Sequence, residues 1–348
     1  MIRKKSLTVF IVLFFCVCSI LIGCKNTPQE NKLLYEINSD SITCTITGIG
    51  TYNDVSVIIP DSIDGYTVTA ISKNAFSYNE SIEEVFISDT VIEIGAYAFS
   101  ECTNLRYVNL PANLTIIENN LFEECVNLQS INIPMHVKII ESYAFQGCES
   151  IVEISLPESL ESIKSMAFAG CHALMEVLFP EGIKEIGENS FTMCDSLTEV
   201  FIPASVELID TSPFLYCMSL LKIDVDQNNP KYSSIDGVLY DKNQTRLIGY
   251  PAGKTDEKFI VPNSVVTIYI FSFTGNEYLE ELYFPTSVIK LYPGIIAWCN
   301  NLTSLYFDGT TSQWENIYKY PEWNKFMDEC TIYCTDGQID NDGTVTYY

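Results

Sequence analysis

Leu105-Arg106-Tyr107-Val108-Asn109-Leu110-Pro111-Ala112-Asn113-Leu114-Thr115-Ile116-Ile117-Glu118-Asn119-Asn120-Leu121-Phe122-Glu123-Glu124-Cys125 is the stretch that decides the fold. In its first six residues Leu105, Val108 and Leu110 alternate with Tyr107 and Asn109, the pattern of a short strand with one face inward and one outward. Pro111 cannot donate to a ladder, so it ends the strand and turns the chain. The segment one unit earlier that leads through the corresponding Phe, Ala96-Tyr97-Ala98-Phe99-Ser100-Glu101, has little β-branching and predicts a short helical turn.

Outward from this stretch the frame repeats. Phe76, Phe99, Phe122, Phe145, Phe168, Phe191 and Phe214 follow one another at 23 residues without slippage. Five residues before each stands an Ile, from Ile71 to Ile209, and eleven before stand Pro111, Pro134, Pro157, Pro180 and Pro203. After a 36-residue interruption the frame resumes at Phe273, and it ends with Ile296 in the Phe position. A period of this length means a solenoid, because a single unit cannot bury its apolar columns and stacked units make one continuous core. Nine rungs are expected.

The unit Leu-x-x-Val-x-Leu-Pro-x-x-Leu-x-x-Ile-x-x-x-x-Phe-x-x-Cys resembles the 23-residue, Treponema-type leucine-rich repeats of BspA-like bacterial surface proteins. Ile59-Pro60 through Ile71 looks like that family's opening unit. Asn229 through Tyr240, continuing to Gly253, looks like its recurrent hairpin insertion, and Gly309-Thr310, Gln313-Trp314 and Cys334 to Gly337 look like its C-terminal unit. The resemblance implies a β-rich leucine-rich repeat solenoid with short helical turns, nine rungs, one hairpin insertion and two caps. It also implies adhesion to host matrix proteins or to other bacteria as the class of role. No Asn ladder follows the strand, unlike in ordinary leucine-rich repeats; Pro takes that turn.

The N-terminus reads as a delivery signal. Arg3, Lys4 and Lys5 precede an apolar run from Leu7 to Ile22, too short to span a bilayer and of the right size for a signal peptide. Leu21-Ile22-Gly23-Cys24 resembles a lipobox, which implies cleavage before Cys24 and lipidation there. The expected organisation is a signal peptide over 1–23, a tether over 24–32 and an N-terminal cap over 33–70. Repeats over 71–225, a hairpin insertion over 226–261, repeats over 262–307 and a C-terminal cap over 308–348 complete it. The expected location is the bacterial cell envelope or surface, with a lipid anchor as the sole membrane attachment.

Composition narrows the function. The 348 residues are 47% hydrophobic, enough for a sizeable core, and their net charge of −26 repels phosphate backbones, so no nucleic-acid partner is expected. His136 and His172 lie on different edges of different rungs and form no dyad. Cys102, Cys125, Cys148, Cys171, Cys194, Cys217 and Cys299 all stand three residues after the Phe column, where free thiols pack as small hydrophobes. Cys330 and Cys334 lack the two further ligands a zinc site needs. Asp224-x-Asp226-x-Asn228 starts like a calcium loop, but Asn229 and Ile235 stand where Gly and Glu belong. No catalytic residue, metal or cofactor is therefore expected.

The functional candidate is a surface. Stacked strands place Glu84, Glu153, Glu176, Glu199 and Glu281 in one outward row, eight residues after each Phe position. Phe86, Leu178, Phe201, Tyr283 and Tyr306 fall in a second row, ten residues after it. Exposed aromatics rimmed by polar groups suit a protein-binding face. The expected partner is a protein or glycoconjugate on host or neighbouring cells, bound by a monomer. Two other readings stand beside this one: a structural envelope protein with no specific ligand, and a small-ligand binder with Trp314, Trp323 and Tyr318 around a pocket.

Overall fold

Two short strands, not one, build each rung. In the computed structural model, which describes residues 32–325 and 330–348, Tyr107–Asn109 forms the strand the alternation predicts. Ile116–Ile117 forms a second strand after the Pro111 turn, too short to be read from periodicity. The signal peptide, Cys24 and most of the tether lie outside the described residues.

Identical positions in successive rungs pair in parallel. Ser56–Ile59, Glu84–Ile87, Tyr107–Asn109 and Ser130–Ile131 form the start of the first sheet. An Asn132–Ser155 bridge carries it into Glu153–Ile154, Glu176–Val177, Glu199–Ile202 and Lys222–Val225. The second sheet runs through Ile116–Ile117, Ile139–Ile140, Ser162–Ile163, Glu185–Ile186 and Leu208–Ile209. The result is a β-solenoid of about 12 turns with almost no helix. The Phe-framed repeats are its regular part, and the caps and the segment around Tyr250 supply further turns.

The Phe column is the spine of the core. Phe76, Phe99, Phe122, Phe145, Phe168, Phe191 and Phe214 stack with ring centroids 5.1–5.8 Å apart and planes within 23°. Each column cysteine is buried, and its thiol donates to the carbonyl of the Phe one rung back, as in Cys125 Sγ to Phe99 O at 3.2 Å. The same bond recurs from Cys102 to Cys217 and at Cys299.

The predicted helical turns are corrected. Around Phe99 the backbone N–H groups alternate between two uses. Those of Ala98, Ser100 and Cys102 donate locally to Gly95, Tyr97 and Phe99, whereas those of Tyr97, Phe99 and Glu101 donate to Asn119, Leu121 and Glu123 of the next rung. A helix would spend all of them within its own segment and leave the rungs unlinked. Left-handed residues, Tyr97 at φ 60° and Glu101 at φ 57°, produce the alternation. Among the described residues the helix is Thr311–Glu315 in the C-terminal cap, closed by a capping box between Thr310 and Gln313.

The segment read as an insertion is partly rung. Tyr232–Ile235 and Val238–Asp241 form the expected hairpin. Arg246–Gly249 then opens a renewed second sheet beside Thr267–Ile268, Tyr250 packs tilted against Phe273 at 5.4 Å, and Lys258–Ile260 opens a renewed first sheet beside Glu281–Phe284. The Phe spine is interrupted here: Phe214 and Tyr250 line a cleft of about 40 Å³ with Leu239 and Ile248. Antiparallel strands close both ends, Leu34–Ile37 on Thr43–Gly48 and Gly337–Ile339 with Val345–Tyr347 on Thr331–Cys334.

Candidate functional site

The outer face of the first sheet is where the sequence places its candidate residues, and the strand register brings them together in three groups. Glu153 sits directly opposite Glu176, and Val177 opposite Val200 puts Glu199 next in line. Leu178, 67% exposed, and Phe201, 47% exposed, stand beside this row. Glu199 is compensated: Lys222 Nζ lies 2.7 Å from it and 3.2 Å from Asp224. Glu153 and Glu176 have no such cation among the described residues. Like charges directly opposed across strands destabilise a sheet.

Glu84 and Phe86 form a second group three rungs away. Phe86 pairs with Ile58 in register and meets Tyr107 at 5.6 Å, so an exposed apolar patch continues onto the N-terminal cap. Glu281, Tyr283 and Tyr306 form a third group beyond the hairpin, in a separate sheet. It is internally satisfied. Lys258 lies 2.8 Å from Glu281, and the Tyr283 hydroxyl donates to Glu281 at 2.5 Å. Lys258 first, then Tyr283, hold the Glu281 carboxyl below its ordinary value. Tyr283, Tyr306 and Tyr333 stack at 4.5 and 5.0 Å.

Sequence reasoning missed Ile58, Tyr333, Val152 and Met175. Tyr333 follows Tyr306 by 27 residues, outside the 23-residue frame, so only strand pairing places it in the row. Val152 and Met175 precede the strands, where alternation defines no face, yet both are exposed and linked by a 3.0 Å backbone bond.

The remaining chemistry is already committed. His172 Nδ1 lies 2.7 Å from Asp195, while His136 is exposed on another rung. Asp224 pairs with Lys222, and Asp226 accepts from the Asn228 N–H at 2.7 Å, which leaves the calcium-like stretch self-satisfied. Cys330 and Cys334 are both buried, and burial pushes their thiols up to about 12 and about 11. Trp314 is buried against Phe307 and Trp323 as a plug on the core, whereas Tyr318 is exposed on the second sheet.

The model of the BspA type leucine-rich repeat region matches residues 69–151, 115–237 and 253–322. The chain belongs to the BspA-type leucine-rich repeat family. A leucine-rich cell surface protein of Faecalibacterium prausnitzii is 26% identical, over 82% of this chain and 95% of that one, with a TM-score of 0.67. A leucine-rich repeat protein of Bacteroides ovatus is 24% identical over 79% and 69%, with a TM-score of 0.63. The pneumococcal vaccine antigen PcpA shares the fold at 20% identity, over 84% and 76%, with a TM-score of 0.57. No curated protein matches. Membership in the BspA-type family accounts for the solenoid and for a scaffold suited to a binding or structural role. Among the described residues no helix is long and apolar enough to cross a membrane.

Proposed function

We propose that this BspA-type protein is a lipid-anchored surface protein of the adhesin kind, whose first-sheet outer face binds a protein or glycoconjugate on another cell or on host matrix. The observation that carries the reading is the pair Glu153–Glu176, held in register without a cation among the described residues, in a row flanked by exposed Leu178 and Phe201. A stability-driven surface would alternate charges there, as the third group does with Lys258 and Glu281. An apolar centre with a charged rim is the anatomy of a binding face.

The test is a binding panel of matrix glycoproteins and whole bacteria against the full chain and its Glu176→Gln/Phe201→Ser variant. Saturable binding that the double replacement weakens at least about tenfold, without lowering the melting temperature, supports the face. Unchanged affinity removes it, and uniform absence of binding moves the weight to a structural envelope role. Anchoring is tested separately: Cys24→Ala should release the protein from the membrane fraction.

A further inference from the structure

The renewed second sheet beyond the hairpin carries a tyrosine ladder that the proposed binding face does not use. Tyr269, Tyr292 and Tyr320 adjoin one per rung, the first pair tilted at 55° with centroids 5.0 Å apart and the second stacked at 4.7 Å, and exposed Tyr318 meets Tyr320 edge-on at 5.0 Å. Two cations lie on the ladder. The Arg246 guanidinium is 5.3 Å from the Tyr269 ring centre, and Lys290 Nζ is 4.9 and 5.2 Å from those of Tyr292 and Tyr320.

Neither cation has a carboxylate within ion-pair distance among the described residues. Arg106, Lys164, Lys184, Lys222 and Lys258 each do, at 2.6–3.6 Å. Lys73, Lys231, Lys242 and Lys319 likewise have no carboxylate within ion-pair distance among the described residues, so what sets Arg246 and Lys290 apart is their shared seat on one tyrosine ladder. Asp241, the acid nearest Arg246 in sequence that bonds to it, is occupied by the N–H groups of Thr245 and Arg246 and by the Thr245 hydroxyl, at 2.7–2.8 Å. Among the described residues the guanidinium fork has no hydrogen-bonded or ion-paired partner.

The spacing narrows the ligand. Arg246 pairs in register with Thr267, and Thr267 with Lys290, so the two cations are two rungs apart, about 9.6 Å along the stack. We propose that this face binds a linear acidic polysaccharide, one carboxylate or sulfate per disaccharide, laid along the stacking direction. A disaccharide is about two rungs long, so successive anionic groups would meet Arg246 and Lys290 while Thr267 faces the neutral sugar between them. Arg246 offers a two-pronged contact for a carboxylate or sulfate, and the tyrosine hydroxyls offer partners for sugar hydroxyls. A phosphodiester chain carries charge far more densely, about every 3.4 Å per strand in B-DNA, and would set uncompensated charge over Thr267. The overall negative charge opposes any polyanion at long range, but at physiological salt it is screened beyond about 8 Å.

The experiment measures affinities of the full chain at physiological ionic strength for four probes of similar length. These are hyaluronan oligosaccharide, a keratan sulfate oligosaccharide with one sulfate per disaccharide, neutral chitin oligosaccharide and inorganic polyphosphate. The expected result is binding of one or both acidic glycans, none of the chitin oligosaccharide, and polyphosphate at least about tenfold weaker. Hyaluronan binding assigns the carboxylate, and keratan sulfate binding alone assigns the sulfate. Arg246→Gln/Lys290→Gln should lose at least about tenfold in affinity, Arg246→Lys/Lys290→Arg should retain most of it, and Glu176→Gln, on the other sheet, should leave it unchanged. Absence of acidic-glycan binding, equal binding of polyphosphate, or indifference to the charge-removing pair each overturns the proposal. None of these outcomes bears on the first-sheet face.

Discussion

A column cysteine shows what one side chain contributes at each step of the stack. Burial pushes the Cys102 thiol from an ordinary 9.0 up to about 12, and Cys171 is shifted to about 12 by the same cause. The native state therefore keeps thiol protons that the unfolded chain releases once the pH passes about 8.5. Since the unfolded state then binds fewer protons, stability falls as pH rises from there toward about 12 and is unaffected below. Melting temperatures measured across alkaline pH should decline in that window, and Cys171→Ala should flatten the slope. The same burial predicts that native column thiols resist iodoacetamide at about pH 8 and react on unfolding. Rapid native alkylation would contradict the packing.

At the scale of the element, the turn through each Phe rests on left-handed residues two positions to either side. Met166 and Gly170 bracket Phe168 in this way, at φ 54° and 73°. A side chain at Gly170 would meet only ordinary contacts at 3.7 Å, so Gly170→Ala isolates the backbone cost, about 1–2 kcal/mol. Phe168→Ala opens the spine itself. Its ring is fully buried between Phe145 at 5.1 Å and Phe191 at 5.2 Å, and its loss should cost about 3–5 kcal/mol. Denaturant titrations of the two variants should preserve that order; equal costs would mean that the spine is not the main source of turn stability.

Across the whole solenoid, the core divides at the hairpin. One buried cluster runs from Leu33 to Ile223 and takes in Leu239 and Ile248; the other runs from Val238 to Ile339. The cleft between Phe214 and Tyr250 marks the seam. Repeat stability is a sum over neighbours, so a weak interface lets the two stacks unfold at different denaturant concentrations. Trp298, Trp314 and Trp323, the three tryptophans of the chain, all lie in the C-terminal stack. Tryptophan fluorescence should therefore give one transition and far-UV dichroism two. Phe168→Ala should move only the step that fluorescence does not see, and Leu282→Ala only the step it does. A single coincident transition moved by both variants would show that the seam transmits cooperativity.

The 23-residue register of Phe, Ile, Pro and Cys by itself determined the solenoid, the inward columns and the rows that stack on the first sheet, because in-register parallel pairing turns sequence period directly into spatial neighbours. Glu153 opposite Glu176 was legible for that reason. Tertiary structure alone decided what the period does not encode. Ile116–Ile117 is too short to carry an alternation signal, and its strand exists only because identical segments lie above and below it. The turn at Phe99 gives up helical bonds for bonds to the next rung, which local propensity cannot anticipate. Tyr333 joins Tyr306, and Lys290 reaches Tyr320, across spacings of 27 and 30 residues that break the frame. Charge and aromatic partners become neighbours there through strand pairing, which is a property of the assembled stack rather than of any one repeat.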